Sequence, residues 1–411
     1  MGRRLAHGHP IRKFPATISS LSLALTLVAW PALAQLPASG ALSEADRPLF
    51  RAEIARIEKS LPSAPDKSTV TYEMARTFAF AKQWTETIQW LRRAAELKVG
   101  LDPSREAVFA ELRGTREFEE ILAAVREATP AVSHSAPAFR IAEGDLAPES
   151  IAYDPNGRRF YLGSLRKGKV VRCPGAARHE EAAGDCAPFV SGLGTVVGLK
   201  VHGNGLWVLN NSDQESALIH YDLASAEVIR IYAVAGPGHS FNDLAFAPAG
   251  DLYLTDTRAG AVWHLANGAA DLTKLPGRFE FANGITVSAD GSLLYVSTFP
   301  DGISVVDLKT QTAAPVAHPG DLCLATIDGL YFYRGALIAI QNAFMTPRVV
   351  RLVLSRDLRA IERFEVLERR NPLFDGITTG VIAGGDFFYM ANVQDDKKAG
   401  FNPISVLKLH L

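Results

Sequence analysis

The segment Phe281-Ala282-Asn283-Gly284-Ile285-Thr286-Val287-Ser288-Ala289-Asp290-Gly291-Ser292-Leu293-Leu294-Tyr295-Val296-Ser297-Thr298 reads as two strands. The first is entered through Asn283-Gly284, the chain turns at Ala289-Asp290-Gly291, and the second runs from Leu293 to Ser297. The same unit is written six times. Its openers are Glu149, Val197, Asn242, Asn283, Asp328 and Asp375, spaced 48, 45, 41, 45 and 47 residues apart. Those intervals are the length of a four-stranded propeller blade. Each opener is followed by a turn and an apolar second strand such as Phe160-Tyr161-Leu162 or Leu252-Tyr253-Leu254, and then by a third.

The fold class expected is therefore mainly β, a six-bladed β-propeller preceded by a small α-helical region. The sixth unit stops at Leu411 after its third strand, and Ala138 to Ala142 has the pattern to supply the fourth. Joining the two ends in one blade closes the ring and hides its edges. A cut near Ala147 should then destroy the domain.

Three segments divide the chain. Residues 1–34 have the pattern of a signal peptide. Arg3, Arg4, Arg12 and Lys13 form the basic start, Leu21 to Ala34 the apolar core, and Ala32-Leu33-Ala34 the cleavage site. Residues 35–130 are a helical region, and residues 131–411 the propeller. Cleavage leaves 39 Lys and Arg against 44 Asp and Glu, with no membrane span in the mature chain and a periplasmic or secreted destination. With a net charge of −1 and no basic cluster, a nucleic-acid partner is excluded.

Within the helical region, Tyr72, Ala75, Phe78 and Ala81 share one helix face, and Ile88, Leu91 and Ala94 another. The pair resembles a single tetratricopeptide-type hairpin, with Thr87 where Ala is usual. One hairpin is too few for a peptide-binding solenoid. It is read as a cap that the propeller tolerates losing, with docking of a protein partner as the alternative. Cys173 and Cys186 could pair in an oxidising compartment or stay as buried thiols, and Cys323 lies in an apolar context.

In a propeller the first strand of each blade lines the central channel, so the six openers converge on the axis. Five offer oxygen and none offers sulfur or imidazole. Such a ring suits calcium, although other divalent cations also accept oxygen ligands. Asn-Gly and Asp-Gly are also ordinary turn dipeptides. Glu149 is not a turn former, and its repeat-equivalent place favours the ligand reading.

The stretches Pro148-Glu149-Ser150, Phe241-Asn242-Asp243, Ala282-Asn283-Gly284-Ile285 and Ile327-Asp328-Gly329 resemble the family of regucalcin (senescence marker protein), gluconolactonase, paraoxonase and diisopropyl fluorophosphatase. These are six-bladed calcium-dependent hydrolases, and the resemblance covers about residues 138 to 411. It implies one calcium ion held by Glu149, Asn242, Asn283 and Asp328, and a lactonase or esterase, which the signal-peptide pattern makes an exported one. Asp328 is the residue expected to orient or deprotonate the attacking water, or to attack directly. Asp375, Asn211, Trp207, Asn342 and His239 are candidates for the pocket wall or for groups behind the ligands, His239 more readily as a solvated loop residue.

Two departures from the family stand out. Asn211 takes the place of a paraoxonase-type histidine. Ser150 takes the place of an acidic residue at a second, structural calcium, which Asp243 alone would hold poorly. Two other readings stay open: a non-catalytic propeller scaffold or binding protein, and a metal-independent enzyme like strictosidine synthase.

Overall fold

The computed structural model describes residue 44 and residues 46–175, 186–393 and 401–411. The expected export segment, residues 1–34, lies outside them. Four α-helices come first: α1 (Arg47–Ser60), α2 (Lys67–Phe80), α3 (Trp84–Glu96) and α4 (Arg116–Ala128). Strand β1 (Ala136–Ile141) follows, and then the blades. Blade one is β2 (Pro148–Asp154), β3 (Arg159–Ser164), β4 (Lys169–Pro174) and β5 (Ala187–Ser191). Blade two is β6 (Thr195–His202), β7 (Gly205–Asn211), β8 (Glu215–Asp222) and β9 (Val228–Ala235). Blade three is β10 (Phe241–Phe246), β11 (Leu252–Asp256), β12 (Ala261–Leu265) and β13 (Thr273–Lys274).

Blade four is β14 (Ile285–Val287), β15 (Leu293–Thr298), β16 (Gly302–Asp307) and β17 (Thr312–Pro315). Blade five is β18 (Ile327–Tyr333), β19 (Ala336–Gln341), β20 (Arg348–Leu354) and β21 (Ile361–Arg369). Blade six is β22 (Gly380–Ala383), β23 (Asp386–Met390) and β24 (Ile404–His410), completed by β1 on its outer edge. The expected six-bladed propeller is the fold, and the expected closure is present. Phe139 stands opposite Val406, and Ile141 opposite Ile404.

Blade four shows how the repeated unit produces its local structure. Asp290 accepts hydrogen bonds from the hydroxyls of Ser288 and Ser292 and from the Ser292 amide, while Gly291 takes φ 74° to complete the turn. Every residue of β15 is buried, because each blade is sandwiched between two neighbours. Leu293 and Tyr295 pack in the cluster shared with blade five, and Leu294 and Val296 in the cluster shared with blade three. Period-2 alternation thus assigns residues to one neighbour or the other rather than to core or solvent.

The opening of the sixth unit differs from expectation. Its inner strand begins at Gly380, and Asp375 is exposed in a bend ahead of it. The Asn371-Pro372 turn, in which Phe374 N donates to Asn371 O, holds the chain out before it enters the sheet.

The helical region packs on the propeller through a shared core. One cluster of buried side chains joins Tyr72, Leu91, Leu101, Phe109 and Phe118 to Phe299, Cys323, Ala325, Phe344 and Met345 of blades four and five. The Tyr72 ring stacks on Phe344 with centroids 4.9 Å apart. Asp66 caps α2 through Oδ1, which accepts from the Ser68 and Thr69 amides. Its Oδ2 accepts from Leu324 N at 2.8 Å, pinning the helix to the loop before β18. The segment after α3 runs along the β19–β20 loop, with Asp102 N donating to Phe344 O and Thr346 N to Gly100 O, both at 2.7 Å. Arg348 is buried between the two parts, donating to Val99 O, Cys323 O and Gln341 Oε1. Removing the helices would uncover this cluster, which bears against the expected tolerance.

Cys173 and Cys186 form a disulfide. Cys323 is a buried free thiol pushed up to about 12 by burial.

Candidate metal centre

The inner strands β2, β6, β10, β14, β18 and β22 stand next to one another in a ring, and hydrogen bonds between blades fix their entrances. Thr379 Oγ1 donates to Glu149 O, Thr255 Oγ1 to Asn283 O, and Ser297 Oγ to Ile327 O. Close approach requires small residues here. A Cβ on Gly198 would come within 2.5 Å of Asn242 O, and one on Gly284 within 2.6 Å of Asp328 O. The Gly after the opener in blades two and four is thus set by strand-to-strand packing.

Asp328 is the centre of the polar cluster. It is buried, and its Oδ2 accepts from Asn342 Nδ2 at 2.7 Å. The Asn283 side chain also reaches it, and Asp243 acts on it electrostatically. Burial, with Asp243 adding to it, pushes the Asp328 carboxyl up to about 7 against the pull of the two amides. Asn342 Nδ2 also donates to Ile377 O, so this residue bridges blades five and six.

Asn242 donates from Nδ2 to Thr257 Oγ1 at 3.0 Å, and Thr257 in turn donates to Ala282 O at 2.6 Å, next to Asn283. Glu149 is partly buried as the second residue of β2. Among the described residues no three Asp, Glu, His or Cys side chains stand together as a metal cage. The candidate set is half amide.

Two features of this structure fit a hard cation. Asn283 Oδ1 and Asn342 Oδ1 are both buried and find no hydrogen-bond partner among the described residues. A buried amide oxygen left unsatisfied costs roughly 1–3 kcal/mol, and oxygen ligation is what calcium offers such a group. Both belong to residues that touch the same buried carboxylate. Glu149, Asn242, Asn283 and Asp328 supply carboxylate and amide oxygens only, the donor chemistry of calcium rather than zinc or copper.

The remaining candidates fall elsewhere. Asn211 is a structural clamp: its Nδ2 donates to Phe241 O and its Oδ1 accepts from Phe241 N, fixing the backbone beside Asn242. Trp207 packs in the cluster between blades two and three, its ring 3.9 Å from that of His220. His239, expected as a solvated loop residue, is instead a strut. Its Nδ1 lies 2.6 Å from Asp256 Oδ2, which also accepts from Trp263 Nε1. Sequence reasoning missed it because Asp256 is 17 residues away and ends a different strand.

Residues 147–319 match a family described as SMP-30/gluconolactonase/LRE-like region. The match includes Glu149, Asn242 and Asn283 and ends before Asp328. No curated protein sequence matches the chain. Among solved structures, the PQQ-bound aldose sugar dehydrogenase from Streptomyces coelicolor is 15% identical over 69% of this chain and 100% of its own, with a TM-score of 0.49. Regucalcin, a calcium-binding protein from Agrobacterium tumefaciens, is 17% identical over 67% and 94%, with a TM-score of 0.45. A streptogramin B lyase is 14% identical over 66% and 86%, with a TM-score of 0.46. Residues 147 to 319, which run from β2 to just past β17, are thus the part of the propeller that is similar to an SMP-30/gluconolactonase/LRE-like region.

Proposed function

We propose that this chain is an exported calcium-dependent hydrolase that opens a lactone or cleaves an ester at the mouth of the propeller channel. The observation that carries the reading is the pair of buried, unpartnered amide oxygens of Asn283 and Asn342 beside the buried carboxylate of Asp328. Glu149, Asn242, Asn283 and Asp328 would hold the ion. When bound it would supply Lewis-acid polarisation of the substrate carbonyl.

The chain's own groups do the rest. Asp328 orients the attacking water and takes its proton. Asn342 holds the Asp328 carboxylate in one rotamer by occupying Oδ2. Asn211 and Thr257 keep Asn242 in place, one through the backbone and one through the side chain. The Cys173–Cys186 disulfide supports an oxidising compartment. No helix among the described residues is long and apolar enough to cross a membrane.

The test is metal analysis of the purified full chain together with a panel of lactones and aryl esters, assayed with calcium and with a strong chelator. Calcium-dependent turnover that disappears in the chelator is expected. Hydrolysis that persists in the chelator after prolonged dialysis would overturn the reading.

A further inference from the structure

One strand ends each blade at the rim of the propeller: β5, β9, β13, β17, β21 and β1. An open sheet edge invites pairing with another strand, and folded proteins guard such edges with proline, charge or brevity. Proline interrupts β5 at Pro188, β17 at Pro315 and β1 at Pro137. Only 2 residues make up β13, and β21 carries Glu362, Arg363, Glu365, Glu368 and Arg369. β9 has none of these guards. It runs for 8 residues, Val228-Ile229-Arg230-Ile231-Tyr232-Ala233-Val234-Ala235, with Arg230 as its one charge.

Its apolar side chains lie bare. Val228 is 41% exposed, Ile229 56% and Ile231 55%, while Tyr232 is buried against blade three. Gly236 N donates to Gln214 O just past the end of the β8–β9 pairing. Antiparallel backbone alternates, so Arg230, Tyr232 and Val234 turn their N–H and C=O groups toward β8. Those of Ile231, Ala233 and Ala235 point out along the free edge.

Outward-facing residues hydrogen-bond only to outward-facing residues of an added antiparallel strand, which restricts the registers open to a second copy of this chain. A two-fold axis through Arg230 sets two guanidiniums opposite each other, and like charges so placed destabilise a strand pair. An axis through Ile229 sets Ile231 against Glu227, and one through Tyr232 sets Val228 against Gly236, both outside the strand. An axis through Ile231 has neither fault. Ile231 then meets its own counterpart, Ile229 the partner's Ala233, and Val228 the partner's Val234. Arg230, whose guanidinium lies 5.0 Å from the centre of its own Tyr232 ring, faces the partner's Tyr232. Glu227 faces the partner's Ala235, so no like charges meet.

We infer that β9 is a dimer edge, to which a second copy of this chain adds its own β9 antiparallel with Ile231 on the two-fold axis. A strand pair over residues 228–234, with Val228, Ile229 and Ile231 from each copy, is at the small end of specific interfaces, so the dimer dissociates on dilution. The inference goes beyond the proposed function and does not rest on it.

Sedimentation velocity of the full chain, from micromolar to several hundred micromolar, should show monomer converting to dimer. Ile231→Lys sets two ammoniums on the axis and should raise the midpoint concentration roughly tenfold or more. The melting temperature of the dilute monomer should not change. Under mild oxidation Ile231→Cys should cross-link to itself, since directly paired residues lie within disulfide reach. Ile229→Cys and Ala233→Cys should cross-link when mixed and not when alone. The Cys173–Cys186 disulfide and the buried Cys323 do not compete.

A monomer at every concentration overturns the inference, and so does a dimer that Ile231→Lys leaves unchanged. Should Ile231→Lys fail to fold, the cysteine variants decide: a cross-linked dimer from Ile231→Cys supports the edge, and monomer alone overturns it. A chain that stays monomeric and binds an extended apolar peptide at this edge overturns the second copy as its occupant.

Discussion

Asp328 stands in a place poorly suited to an uncompensated charge, which is why burial pushes its carboxyl up to about 7. It is buried, Asp243 raises its charge cost further, and the Asn342 and Asn283 amides reach it. The ion-free protein therefore keeps a destabilising group at its axis, and an amide in its place removes that strain. Asp328→Asn should raise the stability of the calcium-free protein at neutral pH, on the order of 1–3 kcal/mol. It should also abolish both turnover and the rise in melting temperature that calcium gives the unsubstituted chain. A lower melting temperature in chelator, or an intact calcium response, would show that Asp328 is a packing residue. Asn211 makes the complementary case. Its two buried hydrogen bonds to Phe241 fix the backbone beside Asn242, one of the proposed ligands. Asn211→Ala should cost roughly 1–3 kcal/mol of stability. It should also weaken calcium binding, read by titration, and an unchanged calcium affinity would confine its role to the fold.

At the scale of elements, β1 is the closing piece. It is separated from β24 by the whole propeller in sequence and is its antiparallel partner in space. Phe139 and Ile141 enter the cluster of Phe160, Phe388 and Val406. A chain beginning at residue 147 leaves β24 as a bare edge and opens that cluster. Such a chain should be recovered only as aggregate, and a soluble protein with a cooperative melt would show that the ring closes without β1. This closure was readable in advance because the sixth unit lacks a strand of the same pattern that precedes the first. The polar openers were readable for a related reason, since equivalent places in repeats share one environment. Other features had no such signal. Lys200 and Tyr331 belong to different units and meet, Nζ 5.2 Å from the ring centre, only because six blades set the second opposite the fifth. The start of β22 shifted because the Asn371–Phe374 turn, and not the opener dipeptide, decides where the chain enters the sheet. Phe299, Phe344 and Met345 sit on loops, where apolar residues give no period, so the seat of the helices was invisible.

For the whole molecule, that seat decides whether the chain is two units or one. The helices rest on the loop that precedes β18, the strand carrying Asp328, and on those that follow β15 and β19, the last of which holds Asn342. Phe344 is two residues from Asn342, and its carbonyl is bonded to Asp102 N, so the segment after α3 holds the loop that places the Asn342 amide on Asp328. Asp66 does the same from the other side through Leu324 N. A chain covering residues 131–411 would expose Phe299, Phe344 and Met345 together and free Arg348 from Val99 O. Contiguous apolar surface of that kind drives association. The truncated chain should therefore aggregate or melt far below the full chain, with calcium affinity reduced along with stability. Asp66→Ala in the full chain is the milder version. It removes both the cap of α2 and the pin to Leu324, with an expected cost of roughly 1–3 kcal/mol. If the helices serve only as a cover, calcium affinity in Asp66→Ala should be unchanged. If they hold the Asp328–Asn342 pair in place, affinity should fall several-fold, and titration calorimetry separates the two. A monomeric 131–411 chain with the full chain's melting temperature and calcium affinity would mean that the shared cluster contributes nothing to the site.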